Sequence, residues 1–140
     1  LNKLEYNPIY NGKKALIGDY LVYSYTITKN VLESLGFEVS VALSSDELVQ
    51  KVKNNEKYDI IFTNNIYRDG TGQKCLSILK SIKDLNTPIV IHTVTKNAKY
   101  HFVNELGFDA YIEKPVTQAK LLPILEKLLR SGGKNVTKDI

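Results

Sequence analysis

The stretch Tyr58-Asp59-Ile60-Ile61-Phe62-Thr63-Asn64-Asn65, continued by Ile66-Tyr67-Arg68-Asp69-Gly70-Thr71-Gly72, decides how the chain is read. A short apolar run, Ile60 to Phe62, stops at two amides, and a polar, glycine-containing loop follows. A run of this length bounded by turn signals reads as a buried central strand over 59–63. In open α/β folds the residue just past such a strand sits at the mouth of the sheet, where ligands bind. Here that residue is Asn64, an uncharged amide, whose role there the rest of the chain must explain.

Working outward, apolar runs alternate with helical patterns. Ala15-Leu16-Ile17 forms a first strand ending near Asp19, and Tyr23, Ile27, Val31, Leu32 and Leu35 recur at helical spacing before a stop at Gly36. Phe37 to Val41 alternates as a second strand. Ser44-Ser45-Asp46-Glu47 has the form of a capping box, and Leu48, Val49 and Val52 supply the stripe of a second helix. Gln73 to Leu85 carries a third stripe that includes Cys75, so a packed thiol is expected there. After Asn86-Thr87-Pro88 come a fourth strand, Ile89 to Thr93, and a weaker helix over Lys96 to Leu106, ended by Gly107. A fifth strand, Ala110 to Ile112, closes at Glu113-Lys114-Pro115. Thr117 caps a last helix built on Leu121, Ile124, Leu125, Leu128 and Leu129. Pro123 lies too deep for a first-turn proline, so a distorted first turn is expected.

Five strands alternating with five helices through short connections predict a doubly wound parallel sheet covered on both faces. A length of 140 residues suits one domain. Residues 1–12 and 131–140 lack an apolar period and read as linkers flanking a domain over 13–130. The chain starts at Leu1 and has no Met, which suggests a segment of a longer protein. The single Cys75 rules out an internal disulfide framework and fits a reducing, cytoplasmic setting. No membrane-length apolar run is present. Net charge is +4, but the cations are spread along the chain. Without a localised basic stripe, nucleic-acid binding is not expected.

In such a fold Asp19, Asn64, Thr93 and Lys114 share one edge of the sheet. Lys114 is placed to compensate Asp19, and Thr93 to donate to an anion held there. Taken alone, each has a bland reading. Asp69 beside Gly70 reads as a turn former, and His92 and His101 read as packing and surface residues.

The ordered set ALIGDY, YDIIFTN with Gly72, PIVIHT and AYIEKP resembles the receiver domain of two-component response regulators over about residues 13–130. The resemblance implies a flavodoxin-like sheet in strand order 2-1-3-4-5. It also implies a site in which an Asp ending the third strand takes a phosphoryl group from phosphohistidine. An acidic pair helps hold Mg²⁺, a Lys bridges to the acyl phosphate, and a Thr and an aromatic respond. Asp19, Thr93, Lys114 and Tyr111 match those positions. Asn64 stands at the phosphoacceptor position and Tyr20 at the second acid.

A carboxamide is a poor nucleophile. Mg²⁺, which wants hard anionic oxygens, would keep only Asp19 and the Ile66 carbonyl. The loop from Thr93 to Gly107 is also slightly shorter than the family's. The resemblance therefore implies a degenerate receiver, non-enzymatic and without cofactor, signalling by contact. Its partners would be a histidine kinase, a phosphotransfer domain or other domains of its own chain, with a hybrid sensor histidine kinase as the expected parent, itself open to membrane anchoring. The implied contact or homodimer face is the fourth helix, fifth strand and fifth helix, with Tyr100, His101, Tyr111 and Lys120. Two alternatives stand beside it. One is a working phosphoacceptor in a response regulator. The other is a flavodoxin-type cofactor binder, against which Gly18 to Val22 lacks a phosphate cradle.

Overall fold

The computed structural model describes residues 4–54 and 56–130. Strand β1 (Lys14–Gly18) leads into helix α1 (Val22–Ser34), β2 (Glu38–Ala42) into α2 (Ser45–Lys53), and β3 (Ile60–Asn64) into a small hairpin, β4 (Ile66–Tyr67) and β5 (Gly70–Thr71). Then come α3 (Gly72–Lys80), β6 (Ile89–Thr93), a π-helical segment Tyr100–Glu105, β7 (Ala110–Glu113) and α4 (Gln118–Leu125), which runs on as a π-helical turn through Arg130. The main sheet has the order β2-β1-β3-β6-β7 with every pairing parallel. Numbered among the five long strands alone, this is the expected 2-1-3-4-5. Among the described residues no helix is long and apolar enough to cross a membrane.

Alternation along each strand explains the continuous apolar runs. Ile17, Ile60, Phe62, Val90 and Ile112 pack on one face with Val31, Leu32, Leu121 and Leu125. Leu16, Ile61, Ile89 and Ile91 pack on the other with Leu48, Leu76, Leu79 and Phe102. A strand buried on both faces has no polar side to show. β3 is the central strand of the five, and all five of its residues are buried.

Three expectations need correction. The stretch 1–12, read as a linker, is integral over the residues described. Tyr10 is buried and stacks on Phe37 with ring centroids 5.4 Å apart. The Asn7 and Tyr10 amides donate to the Ser34 and Leu35 carbonyls at 2.7 and 2.9 Å. Those carbonyls belong to the end of α1, which lacks further intrahelical donors, so the strap supplies them. A backbone strap of this kind leaves no apolar period. Residues 131–140 lie outside the described residues.

The fourth helix is present as expected but shorter, and its extent is the second correction. Only Tyr100–Glu105 is helical, with π geometry, and only Phe102 in it is buried. A stripe that weak leaves little packing to hold a regular α-helix. Third, Pro123 does not disturb the first turn of α4. Thr117 caps that turn by accepting from the Lys120 amide at 3.2 Å. Pro123 is held within α4, and the widening to π geometry comes after it, at Glu126.

The hairpin after β3 went unread in the sequence; its two turn residues are Arg68 and Asp69, and Gly70 pairs with Tyr67. Two glycines permit its close approach. A Cβ on Gly18 would lie 2.2 Å from the Tyr67 hydroxyl, and one on Gly72 would lie 2.3 Å from the Asn64 carbonyl oxygen. Both contacts are too short for any side chain, so each glycine is dictated by what lies against it.

Candidate functional site

Parallel strands deliver their C-terminal ends to one edge. There β1 contributes Asp19, β3 contributes Asn64, and the residue after β7 is Lys114. Asp19 is fully buried. Its Oδ2 accepts from Ser24 Oγ at 2.6 Å and from Lys114 Nζ at 3.0 Å, and its Oδ1 from the Leu21 amide at 3.2 Å. Burial is the largest single influence on this carboxyl and opposes ionisation. The Ser24 hydrogen bond, the charge of His92 when protonated, and Lys114 act the other way and prevail, so its pKa is lowered.

Asn64 closes the cluster. Its Oδ1 accepts from Lys114 Nζ at 2.7 Å, and its Nδ2 donates to the Ile66 carbonyl at 3.0 Å and, more weakly, to Asp19 Oδ1 at 3.4 Å. Its backbone amide donates to the Tyr67 hydroxyl at 3.0 Å, and that hydroxyl also bonds Thr63 Oγ1 at 2.7 Å. Burial, the leading cause, raises the Tyr67 pKa, so the phenol stays protonated. One acid, one ammonium and one amide thus share a charge-balanced network.

Thr93 is buried on the neighbouring strand, but its hydroxyl turns to its own loop. It donates to Thr95 Oγ1 and accepts from the Thr95 amide, both at 3.1 Å. No hydrogen bond links its side chain to Asp19, Asn64 or Lys114 among the described residues. Tyr111 points along the same loop. Its hydroxyl bonds the Thr95 carbonyl, lies 3.0 Å from Glu113 Oε2 and accepts from the Ala98 amide at 3.4 Å. Its ring stacks on Phe102 at 5.8 Å between centroids. Burial leads in raising its pKa.

Tyr20 carries the Arg68 guanidinium over its ring, 5.4 Å from the centroid. This cation–π contact brings a positive charge from the hairpin to the site's rim. Asp69 is spoken for. Its two oxygens accept from the Ser45 and Asp46 amides at 3.0 Å each, anchoring the hairpin to the start of α2. Those bonds, the Asp46 amide first, lower its pKa. Of the expected capping box, the Ser44 half forms, with the Glu47 amide donating to Ser44 Oγ at 3.0 Å, while Glu47 Oε1 accepts from the Leu43 amide at 2.8 Å, one residue before the cap. Cys75 is buried, and burial raises its pKa.

His92, read from the sequence as a packing residue, is packed as expected, but its electrostatic setting was not legible there. It pairs in register with Asn64, is fully buried, and holds Nε2 3.1 Å from the Gly18 carbonyl. Burial first, then the Lys114 charge, push its pKa down to about 4. It is therefore neutral at pH 7, with Nε2 donating to Gly18, and its Nδ1 has no hydrogen-bond partner among the described residues. The available signal was its position, one residue before Thr93 on a strand adjacent to Asn64. On the outer face, Tyr100 is exposed, His101 pairs with Glu105 at 2.8 Å, and Lys120 Nζ donates to the Glu113 and Pro115 carbonyls.

The donor set does not fit a Mg²⁺ site. Asp19 is its one carboxylate, and it is already committed to Lys114 and Ser24. The Ile66 carbonyl, the remaining expected ligand, is taken by Asn64 Nδ2. Among the described residues no cluster of three or more His, Cys, Asp and Glu is placed to hold a metal.

A family model for the response regulator receiver domain matches residues 21–126. A CheY-like receiver domain from Methylobacillus flagellatus is similar at 27% identity with a TM-score of 0.73, the match covering 83% of this chain and 98% of that one. The N-terminal domain of a response regulator/sensory box/GGDEF protein from Carboxydothermus hydrogenoformans is 26% identical, with a TM-score of 0.74 over 89% and 99%. The receiver domain of a sensor histidine kinase from Pseudomonas aeruginosa, solved with a magnesium ion in its active-site cleft, shares the fold at 20% identity and a TM-score of 0.76 over 86% and 99%.

Proposed function

The chain belongs to the response regulator receiver domain family of two-component signalling, and from that premise we propose that it is a degenerate receiver whose Asn64 replaces the phosphoacceptor Asp. Receivers are regulatory modules that work with histidine kinases or phosphotransfer partners. In this reading the domain regulates by contact and not through its own acyl phosphate.

One observation carries the proposal: the Asn64 carboxamide satisfies three neighbours at once. It accepts from Lys114 and donates to Asp19 and to the Ile66 carbonyl. A carboxylate in its place would turn acceptor oxygens toward two further acceptors, an arrangement that needs a cation between them. With the amide, the network is complete without metal. Tyr20 supports the same reading, since a ring under Arg68 gives no anionic ligand. The retained Lys114 and Asp19 then act as an internal ion pair that fixes the loop ends.

The parent we infer is a hybrid sensor histidine kinase, with the domain at its cytoplasmic side. The exposed Tyr100, His101 and Lys120 beside Tyr111 form the face toward a kinase, a phosphotransfer domain, a neighbouring domain of the same chain or a second copy.

Backbone amide NMR spectra with and without Mg²⁺ plus a small phosphodonor test the proposal. The expected outcome is superimposable spectra. Shifts converging on Asp19, Asn64 and Lys114 would overturn it.

A further inference from the structure

The main sheet ends on one side at β2, which has β1 as its one neighbour. The parallel register between them runs from Lys14–Glu38 to Gly18–Ala42. The Glu38 amide donates to the Lys13 carbonyl at 2.8 Å, and the Ala42 carbonyl accepts from the Asp19 amide at 3.0 Å. Backbone groups alternate in direction along a strand. Glu38, Ser40 and Ala42 therefore turn their amides and carbonyls toward β1, and Val39 and Val41 turn theirs outward.

That outward row is closed at both ends by the chain itself. The Phe37 amide donates to the Leu32 carbonyl at 3.1 Å, and the Leu43 amide to Glu47 Oε1 at 2.8 Å. Between them stand the amides and carbonyls of Val39 and Val41, which have no hydrogen-bond partner among the described residues. A cleft of about 510 Å³ opens along the same flank, lined by Glu38, Val39 and Ser40 together with Lys57 and Tyr58. Strand edges are usually guarded by a lysine, a proline or a bulge. β2 has no Lys or Pro, and its one charge, Glu38, stands at its first residue.

The strand Glu38-Val39-Ser40-Val41-Ala42 is self-complementary about Ser40. When a second copy lies antiparallel beside it with Ser40 opposite Ser40, Val39 of each copy faces Val41 of the other. Both residues then exchange amide and carbonyl as a hydrogen-bonded pair, and every open group of the edge is satisfied. The valines meet as β-branched cross-strand pairs on the face where both already pack against the core. Glu38 comes opposite Ala42, so no like charges meet. A two-fold axis through Ser40 closes the assembly at two copies.

We infer that the β2 edge is a self-association surface, on which a second copy of this chain adds its own β2 antiparallel and joins the two sheets into one. The surface lies at the other side of the sheet from β7, and so apart from Tyr111 and the face around it. It is independent of what occupies position 64.

The test begins with sedimentation equilibrium of the full chain, carried to millimolar concentration. A weak monomer–dimer equilibrium is expected, as suits an interface of small area. Hydrogen exchange at the Val39 and Val41 amides should slow as the dimer forms. Val41→Pro removes an outward donor from each copy and leaves the ladder to β1 intact, so it should weaken association about tenfold. Ser40→Lys and Ser40→Asp each set like charges across the two-fold axis and should each weaken it, while an equimolar mixture of the two should associate more tightly than either alone. Circular dichroism checks that each variant is folded, and the Ser40 pair decides the matter if Val41→Pro is not. A chain that stays monomeric throughout, undiminished association in folded Val41→Pro, or a Lys–Asp mixture no tighter than its components would each overturn the inference. So would protection confined to the face of Tyr100, Tyr111 and Lys120, or protection of Val39 and Val41 that requires an extended peptide of another protein.

Discussion

Asn64 Oδ1 lies 2.7 Å from Lys114 Nζ, and the same ammonium lies 3.0 Å from Asp19 Oδ2. One cation thus serves one anion and one neutral amide, and the buried cluster carries no net charge. The proposed degenerate reading rests on that balance more than on the absence of a nucleophile alone.

Replacing Asn64 with Asp breaks the balance. Two carboxylates would then share one ammonium, and the Ile66 carbonyl would lose its donor. At neutral pH without metal, Asn64→Asp should cost about 1–3 kcal/mol of stability, read by urea unfolding. The single variant should bind Mg²⁺ weakly, because Tyr20 still denies the second acidic ligand. Asn64→Asp combined with Tyr20→Asp should bind it distinctly better in titration calorimetry. Strong Mg²⁺ binding by the single variant would show that Tyr20 matters less than argued.

Lys114→Met leaves a fully buried Asp19 without its cation. Removing one partner of a buried pair costs on the order of 3 kcal/mol. Adding Asp19→Asn should recover part of that loss, because the uncompensated charge is gone. A double-mutant cycle from denaturant midpoints checks this, and strictly additive losses would show that the pair is not coupled.

Acid stability follows from His92. Its folded pKa of about 4 lies below the ordinary value of 6.5. The unfolded chain therefore binds a proton that the folded one refuses between those values, and stability falls as pH drops from 6.5 toward 4. The stability is fully present above 6.5, and the loss is on the order of 3 kcal/mol by pH 4. Asp19 has a lowered pKa, so its contribution is present above 3.8 and is lost only as pH falls below that. His92→Gln, which keeps a donor for the Gly18 carbonyl, should flatten the profile between pH 6.5 and 4. An unchanged profile would remove His92 as its cause.

Asp69→Ala should expose two amides at the start of α2 and release the hairpin, costing about 1–2 kcal/mol. Hydrogen exchange should accelerate first at Ser45 and Asp46. Exchange that stays slow there would mean the hairpin is held by other contacts.

The sheet was legible because β3 and its neighbours are apolar on both faces, and a continuous apolar run between turn residues has few other readings. The order in which Asp19, Asn64 and Lys114 follow their strands is enough to place them at one edge of a parallel sheet. Less was legible where backbone does the holding. The strap around Tyr10 works through amides that any residue supplies, so it read as a linker. Thr93 ends the right strand, but its hydroxyl bonds Thr95, a choice set by loop geometry. His92 read as a packing residue, and its low pKa was not legible because burial and the charge of Lys114, not its neighbours in sequence, set it. The Arg68–Tyr20 contact depends on a hairpin that went unread.

The most direct measurement is intact mass spectrometry of the unaltered chain after incubation with a small phosphodonor and Mg²⁺, beside the Asn64→Asp, Tyr20→Asp double variant. The account predicts an unshifted mass for the unaltered chain and a phosphoryl adduct on the double variant. A phosphoryl adduct on the unaltered chain, labile to acid or alkali, would contradict it.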